Sequence, residues 1–295
     1  MPSKAARDRD GSLYAIALAN RTLDSLITGE TEEERANRHR HVAEQVANTY
    51  LSRDVKMPDW VLDGQLVLSG AVIHGDLSLV RNFVETKSLS DALNDWTEYF
   101  GRPLHLAGVW GGHTDVVRYL LAQGANPRLL NETRKKVENV DKYYPRAGEK
   151  YYLPVLHLST GKRDLTRFTP GAALRAAVSS GNEELVSLLL QRENRAPAAH
   201  GELCRAMVAA VQAGRPDLLK MLDSVLVEET GKSWTQFETV KDVILCEASS
   251  HGHVDMVWML LDNGAGVSPR SAFSKSILRG PALHVATARG YTDIA

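Results

Sequence analysis

One pattern recurs along the chain: a run of small, helix-forming residues, then a glycine, then a second and more apolar run. In most copies a large apolar residue lies seven positions before the glycine and an alanine lies four positions before it, as with Leu68 and Ala71 before Gly75. The turn glycines are Gly75, Gly112, Gly181, Gly214, Gly252 and Gly290. A unit of this size cannot bury its own apolar face, so neighbouring copies must stack into an array of helix pairs.

Three stretches of the array carry a family resemblance. The clearest runs from Pro103 to Pro127 and contains the strings PLHLA, GHTDVV and LLAQGANP. The others contain HGHVDMV from His251 onwards, and LHVA followed by GYTD from Leu283 onwards. These strings resemble ankyrin repeats, and the resemblance extends over roughly 61–295. It implies an all-α ankyrin-repeat solenoid, in which helix–turn–helix repeats carry projecting β-hairpin loops.

The composition excludes several classes of protein. With 43% hydrophobic residues and a net charge of −1, the chain is predicted neither to be disordered nor to bind a strongly anionic partner. No apolar run approaches the ~18 residues of a membrane span, and the first residues are charged rather than apolar. Cys204 and Cys246 lie in predicted helices as small core residues, which favours a reducing compartment. We therefore expect a cytoplasmic protein without a membrane contact, with the nucleus as the alternative location.

We predict two domains. Residues 1–60 lack the repeat pattern and form an N-terminal helical cap, with one helix from Leu13 to Ile27 that stops before Gly29 and a second from Glu32 to about Ser52. Leu23, Leu26 and Ile27 are expected on the apolar side of the first helix, and the second has a narrow stripe of Val42, Val46, Tyr50 and Leu51. Residues 61–295 form the array of about six repeats. The last repeat is cut short at Ala295, so we expect the natural product to continue.

The spacing between turn glycines identifies an insertion. Successive intervals are 37, 69, 33, 38 and 38 residues, against roughly 33 for an ankyrin unit. We interpret the excesses of four or five residues as loop extensions. The longest interval contains Pro145 and Pro154, which disfavour paired helices, so we predict an insertion at 131–168, with a strongly degenerate repeat as the alternative. Its two tyrosine pairs flank a turn at Pro145 and predict a β-hairpin finger that is dispensable for folding but needed for binding.

Candidate partner-binding residues follow from the resemblance and from the insertion. The resemblance places the two residues before each turn glycine on the concave, solvent-facing side of the array, including Ile73 and Ser250. An aromatic residue there is typical of a binding hot spot, although Trp110 alternatively fills space in the core. The predicted partner-binding residues are Trp110, Tyr143, Tyr144, Arg146, Tyr151, Tyr152, His74, Ser180 and His251. The aromatic and basic mixture in the insertion also suits base stacking, but the near-neutral chain favours a protein partner.

No residue pattern supports catalysis, a cofactor or a metal. Gly231-Lys232-Ser233 resembles the end of a phosphate-binding loop, but Leu226 stands where that loop needs a glycine. The pairs His39 with His41 and His251 with His253 are explained by a solvated helix and by the repeat motif. The resemblance implies that His105 and His284 tie neighbouring loops by hydrogen bonds.

The sequence therefore predicts a non-catalytic, monomeric scaffold or adaptor that binds another protein on its concave face and loop fingers. The alternative is an enzyme, or a nucleotide or nucleic-acid binder, that uses the degenerate N-terminal half and the basic, aromatic insertion.

Overall fold

The computed structural model describes residues 11–49, 63–86, 89, 92–95, 97, 99–110, 112–129, 173–195, 202–267 and 281–295. The chain forms two compact units. The first unit contains Met1–Thr133 and Leu165–Ser180, and the second contains Arg134–Asp164 and Gly181–Ala295. The predicted boundary between a cap and a repeat array stays a prediction.

The first unit is built from α-helices in two layers. Its helices are α1 (Gly11–Leu26), α2 (Glu32–Thr49), α3 (Asp63–His74), α4 (Leu77–Thr86), α5 (Pro103–Val109), α6 (Thr114–Ala122) and α7 (Ala173–Ser180). Helices α1, α3, α5 and α7 stack in this order as inner helices, and α4 packs on α6 as the outer layer. Helix α2 packs against α1 and α3 instead of joining the outer layer.

Local capping explains where the first two helices end and begin. Gly29 has a φ of 85°, which separates α1 from α2. Thr31 and Glu34 then form a reciprocal capping box, because the Thr31 amide donates to the Glu34 carboxylate (2.8 Å) and the Glu34 amide donates to the Thr31 hydroxyl (3.2 Å). Both helices lie close to the predicted positions.

The apolar side of α1 is covered only in part. Leu23 is buried, whereas Leu26 in the last turn is 47% exposed. The physical reason is where α3 approaches. A Cβ on Gly70 of α3 would lie 3.2 Å from the Ala19 Cβ and 3.0 Å from a Leu23 methyl, which centres the contact one turn before Leu26.

The second unit repeats the same two-layer construction. Its helices are α8 (Glu183–Leu189), α9 (Glu202–Gln212), α10 (Pro216–Thr230), α11 (Glu238–His251), α12 (Val254–Asp262) and α13 (Ala282–Ala288), with a 3₁₀ turn at Trp234–Gln236. The inner helices α9, α11 and α13 stack in order. Helix α10 packs on α9, and α12 packs on α11.

The extra residues between Gly214 and Gly252 extend a helix rather than a loop. Outer helix α10 has 15 residues, whereas α6 and α12 have nine each. The chain then folds back, because Asp223 accepts hydrogen bonds from the Ser233 hydroxyl and the Trp234 amide, both at 2.8 Å. Trp234 is thereby buried. The prediction of a simple loop extension in this interval is wrong, since a buried tryptophan and a capped turn stabilise the longer helix.

All six predicted turn glycines have a left-handed backbone, with φ between 63° and 80°. This conformation costs a residue with a Cβ roughly 1–2 kcal/mol, so glycine is required for the sharp turn between inner and outer helix. Among the described residues there is no β-strand, only an isolated bridge between Thr97 and Gly101. The prediction of an all-α fold of stacked helix pairs is confirmed, while the predicted hairpin at 131–168 lies outside the described residues.

Candidate functional site

Helix α2 is attached to the first unit by a buried guanidinium. The Arg38 side chain is 1% exposed and donates to Asp24 (2.7 Å) and to both carboxylate oxygens of Glu30 (2.7 and 3.0 Å). Burial opposes ionisation of Asp24, yet the hydrogen bonds from Arg38 and His39 bring the pKa of its carboxyl below the ordinary value. The bond from Arg38 likewise lowers the pKa of Glu30. Two ionised carboxylates thus compensate the buried charge.

Gln45 connects the middle of α2 to both flanks of α5. Its amide donates to the Phe100 carbonyl (3.2 Å), and its side-chain oxygen accepts the indole N–H of Trp110 (2.6 Å). The His41 ring lies 4.9 Å from the Trp110 ring, centroid to centroid. Trp110 is half-buried, so the structure places it at the contact between α2 and the end of α5. Its role in binding a partner stays a prediction.

The end of α3 lies in the same region. His74 is half-buried, and burial lowers its pKa although Glu30 and Asp76 act in the opposite direction. The preceding Ile73 is buried, so the prediction that it faces solvent is wrong. Nine consecutive residues of α3, from Gln65 to Ile73, are buried because α1, α2, α4 and α5 all pack against this helix.

The apolar contact of α2 is small. Among its described side chains the buried apolar residues are Val42 and Val46, each contributing about 1.5–3 kcal/mol by burial. They belong to the predicted stripe, of which Tyr50 and Leu51 lie outside the described residues. Arg38 and Gln45 are the buried polar residues of this helix. Polar bonds therefore account for a large part of its attachment.

In the second unit, the C-terminal ends of the inner helices carry a connected row of hydrogen bonds. The Gln212 amide donates to the Glu247 carboxylate (3.0 Å), and the His251 Nδ1 lies 2.9 Å from the Glu247 carbonyl oxygen. Arg289 donates to the Ser250 carbonyl (2.8 Å). The row crosses α9, α11 and α13. We call Gln212, Ala213, Glu247, His251 and Arg289 the α9–α11–α13 surface.

The exposure of this surface is graded. Ala213 and Arg289 are exposed, and His251 is half-buried. Ser250 is buried and its hydroxyl donates to the Glu247 carbonyl (2.9 Å), so the prediction that it faces solvent is wrong. The Glu247 side chain is also largely covered. The surface therefore presents amide, imidazole and guanidinium groups above a hydrogen-bonded base.

The remaining predicted site residues are separate from this surface. Ser180 is half-buried at the end of α7, and its hydroxyl donates to the Ala177 carbonyl (2.8 Å) within its own helix. Five further residues lie outside the described residues: Tyr143, Tyr144, Arg146, Tyr151 and Tyr152. Their assignment to partner binding stays a prediction.

Consecutive repeats also contact each other at the turn glycines, which was not predicted from the sequence. The residue directly after a turn glycine packs on the turn glycine of the preceding repeat: His113 on Gly75, Arg215 on Gly181, His253 on Gly214, and Tyr291 on Gly252. Three of these side chains also reach a backbone carbonyl there, namely that of Ile73 (3.3 Å), Gly181 (2.7 Å) and Gln212 (2.8 Å). The large side chain that follows each of these glycines in the sequence could have predicted this contact.

The prediction for His105 is wrong. His105 is 2% exposed, and within the described residues neither ring nitrogen has a hydrogen-bond partner. Burial, together with the charges of Arg175 and Arg102, lowers its pKa to about 3, so the ring is neutral. Helices α5 and α7 approach closely, since a Cβ on Gly108 would lie 3.1 Å from the Ala176 Cβ. The described structure likewise shows no bond to the ring of the exposed His284.

The other candidate chemical groups have structural explanations. Gly231 ends α10 in the left-handed conformation, and Ser233 caps the following 3₁₀ turn. Burial raises the pKa of both Cys204 and Cys246 to about 11. His39 bonds Asp24 (2.9 Å) while His41 contacts Trp110, and the His251 and His253 rings stack 6.0 Å apart. The described residues contain no group of three or more His, Cys, Asp or Glu side chains arranged to hold a metal.

None of the helices in the described part of the chain combines the length and apolar character that crossing a bilayer requires.

The geometry defines a class of protein: tandem helix pairs joined by left-handed glycines, in which the residue after four of the six turn glycines packs on the turn glycine of the pair before it. The family model of the ankyrin repeat matches residues 102–132, which include α5 and α6. The prediction of an ankyrin repeat protein is confirmed. Ankyrin repeats are in general protein–protein interaction modules and are typically non-catalytic.

Comparison with solved structures gives a similar chain. The ankyrin repeat domain of Bcl-3, described as a unique member of the IkappaB protein family, is 25% identical over 77% of this chain and 96% of that chain, with a TM-score of 0.32. No curated protein matches the chain.

Proposed function

We propose that this protein is a non-catalytic adaptor, and that it binds a partner protein on the α9–α11–α13 surface. The observation that supports this most is the row of hydrogen bonds from Gln212 through Glu247 to His251, with Arg289 joined to the same helix end. Side chains already held in one conformation lose little entropy on binding. Donors and acceptors from three consecutive repeats thus face an incoming chain together.

The mixed character of this surface favours a protein over a nucleic acid. It combines a carboxylate, an imidazole and a guanidinium, and the whole chain carries a net charge of −1. Nucleic-acid binding needs several cations that neutralise phosphates. We further propose that the insertion at 131–168 supplies a second contact with the partner. We also propose that Trp110, His74 and Ser180, which lie in the first unit, contact the partner. The protein is proposed to be monomeric and cytoplasmic.

Quantitative affinity capture tests the proposed surface. The full chain is compared with His251→Ala/Arg289→Ala and with the matched control Lys220→Ala/Lys232→Ala, whose lysines are exposed on and after outer helix α10. We expect the α9–α11–α13 variant to lose at least tenfold of the specifically captured partner, with unchanged circular dichroism, and the control to retain it. Equal capture by all three proteins would refute this site.

A second comparison tests the insertion. Deletion of Lys135 to Lys162 is expected to reduce capture while the melting temperature changes by only a few degrees, because loop-closure entropy varies slowly with loop length. Collapse of the fold would show that the segment belongs to the core.

A further inference from the structure

Helix α2 occupies, in the first unit, the register positions that form the proposed binding surface in the second. Those positions are the residues just before the turn glycines. Trp110 bonds Gln45 and contacts His41, and both of these side chains belong to α2. Helix α2 also packs on α3. Two consecutive inner helices, α3 and α5, thus contact one helix from the same chain.

The contact residues of α2 form a single stripe. Among the described side chains of α2, the buried ones are Arg38, Val42, Gln45 and Val46, at spacings of four, three and one, which lie on one face of a helix. The first turn of α2 carries Glu32, Glu33 and Glu34, and its residues up to Ala36 are exposed. Most of the surface of α2 is therefore polar, and four side chains make its buried contacts with the rest of the first unit.

Polar groups, more than apolar area, determine what this face of the first unit accepts. Gln45 is fully buried and uses both its donor and its acceptor on groups that flank α5. Arg38 is held by Asp24 of α1 and by Glu30 of the α1–α2 connection. Buried polar contacts are specific in geometry, and each group must be matched by a partner of the right kind.

We propose that the inner face of the first unit is a second interaction surface, that it recognises a polar amphipathic helix, and that α2 occupies it in cis. The partner helix presents valine, glutamine and valine at the spacing of Val42, Gln45 and Val46, with a guanidinium one turn earlier for Asp24. It binds by displacing α2. This surface differs from the α9–α11–α13 surface, so the inference does not depend on partner binding at the α9–α11–α13 surface.

A trans-binding experiment on the full chain tests the proposal. The probe is a fluorescein-labelled synthetic peptide of residues Glu30–Thr49, and the readout is fluorescence anisotropy. Val46→Asp places a charge on the buried stripe and is expected to release α2. Ala47→Asp introduces the same charge at the adjacent exposed position and serves as the matched control.

We expect the Val46→Asp chain to bind the peptide at least tenfold more tightly than the unchanged chain or Ala47→Asp. A peptide with Gln45→Ala is expected to lose at least tenfold of that affinity. A Val46→Asp chain that retains the helices of the first unit but does not bind the peptide overturns the proposal. The capture of partners by the α9–α11–α13 surface is a separate readout, so failure of one proposal is distinguishable from failure of the other.

Native-state hydrogen exchange on the unchanged chain covers the case in which Val46→Asp does not fold. A displaceable α2 opens without unfolding of α3, so its amides are expected to exchange at least tenfold faster than those of α3. Exchange of α2 and α3 only together, through one common unfolding event, overturns the proposal independently of any variant.

Discussion

The two units use the same helix pairs but differ in what the ends of their inner helices contact. In the first unit, Trp110 lies against the N-terminal helix α2. In the second, Gln212, His251 and Arg289 are bonded along the row of repeats themselves, as far as the described residues show. In the first unit, the end of α5 is thus covered by a helix of the same chain. In the second unit, the α9–α11–α13 surface is held by its own hydrogen bonds and is partly exposed.

The inner helices differ in a corresponding way. Helix α3 of the first unit buries mainly apolar residues, with Gln65 and Ser69 as the polar exceptions, and the buried charge of this unit's inner helices is Arg175 on α7, among the described residues. The inner helices of the second unit bury four charged residues: Glu202, Arg205, Lys241 and Asp242. Arg205 pairs with Glu202, and Lys241 pairs with Glu238 at 2.7 Å. A repeat framework therefore fixes the backbone while leaving the chemistry of its inner face free to differ from one unit to the next.

The largest expected effect tests a feature that the two units share. We predict that Gly75→Ala in the first unit and Gly214→Ala in the second each cost about 3 kcal/mol of unfolding free energy. Both glycines have positive φ, and the new Cβ would lie 2.3 Å from the His113 ring and 2.9 Å from the His253 ring. Urea unfolding followed by circular dichroism measures the loss.

Two other glycines provide matched controls for this test. Gly124 and Gly264 also have positive φ, but an added Cβ meets nothing within 4 Å. We expect Gly124→Ala and Gly264→Ala to cost only about 1–2 kcal/mol, from backbone strain alone. Equal losses at all four sites would mean that the side chain after the turn glycine does not hold consecutive repeats together.

The second expected effect is that the stability of the first unit depends more on pH than the stability of the second unit. The pKa of His105 in the first unit is lowered from its ordinary 6.5 to about 3 on folding. A lowered histidine pKa contributes stability that is complete above pH 6.5 and is lost as the pH falls towards 3. Between pH 6.5 and 5 the loss is about 2 kcal/mol, at ~1.4 kcal/mol per pH unit.

Hydrogen exchange at pH 6.5 and at pH 5 measures this loss separately for α5 and for α11. We expect α5 to lose protection and α11 to change less, and we expect His105→Gln to remove the difference in slope whatever its effect on stability at neutral pH. An unchanged slope in His105→Gln would assign the pH dependence to other groups.

The smallest effect concerns two tryptophans, one in each unit. Trp110→Phe keeps an aromatic ring but removes the N–H donor to Gln45, which we expect to cost about 1 kcal/mol. Trp258→Phe on outer helix α12 changes a side chain that is 60% exposed and should cost less than about 0.5 kcal/mol. Thermal unfolding compares the two variants, and a larger loss from Trp258→Phe would contradict the placement of Trp110 against α2.

Much of the fold was predictable from the sequence because it depends on local rules. Helix periodicity and turn glycines are read within a window of a few residues, so the six turns and the helices α1 and α2 were placed close to where they lie. The length of α10 was not, because it depends on Asp223 binding the backbone of Trp234 eleven residues later.

The neighbours of each inner helix were harder to predict for the same reason. Periodicity shows that Val42 and Val46 form a stripe, but it does not show which face receives that stripe. The contacts of Trp110 follow from the position of α2, and the burial of Ile73 follows from the four helices that pack around α3. The prediction for His105 was wrong for a different reason. It was carried over from a family motif, but the close approach of α5 and α7 leaves the His105 ring without the expected hydrogen bond within the described residues.

The contact between consecutive turn glycines has a consequence for how such a chain can lengthen. Gly75, Gly181, Gly214 and Gly252 offer the same socket, formed by a backbone without a side chain, and three kinds of side chain fill it here: imidazole, guanidinium and phenol. The socket accepts all three kinds of side chain. A duplicated helix pair therefore carries both parts of this contact, the turn glycine and the large residue that follows it. Gene duplication can therefore add a repeat without a compensating change in its neighbours, whereas a single mutation of the glycine breaks a joint that no other residue type restores.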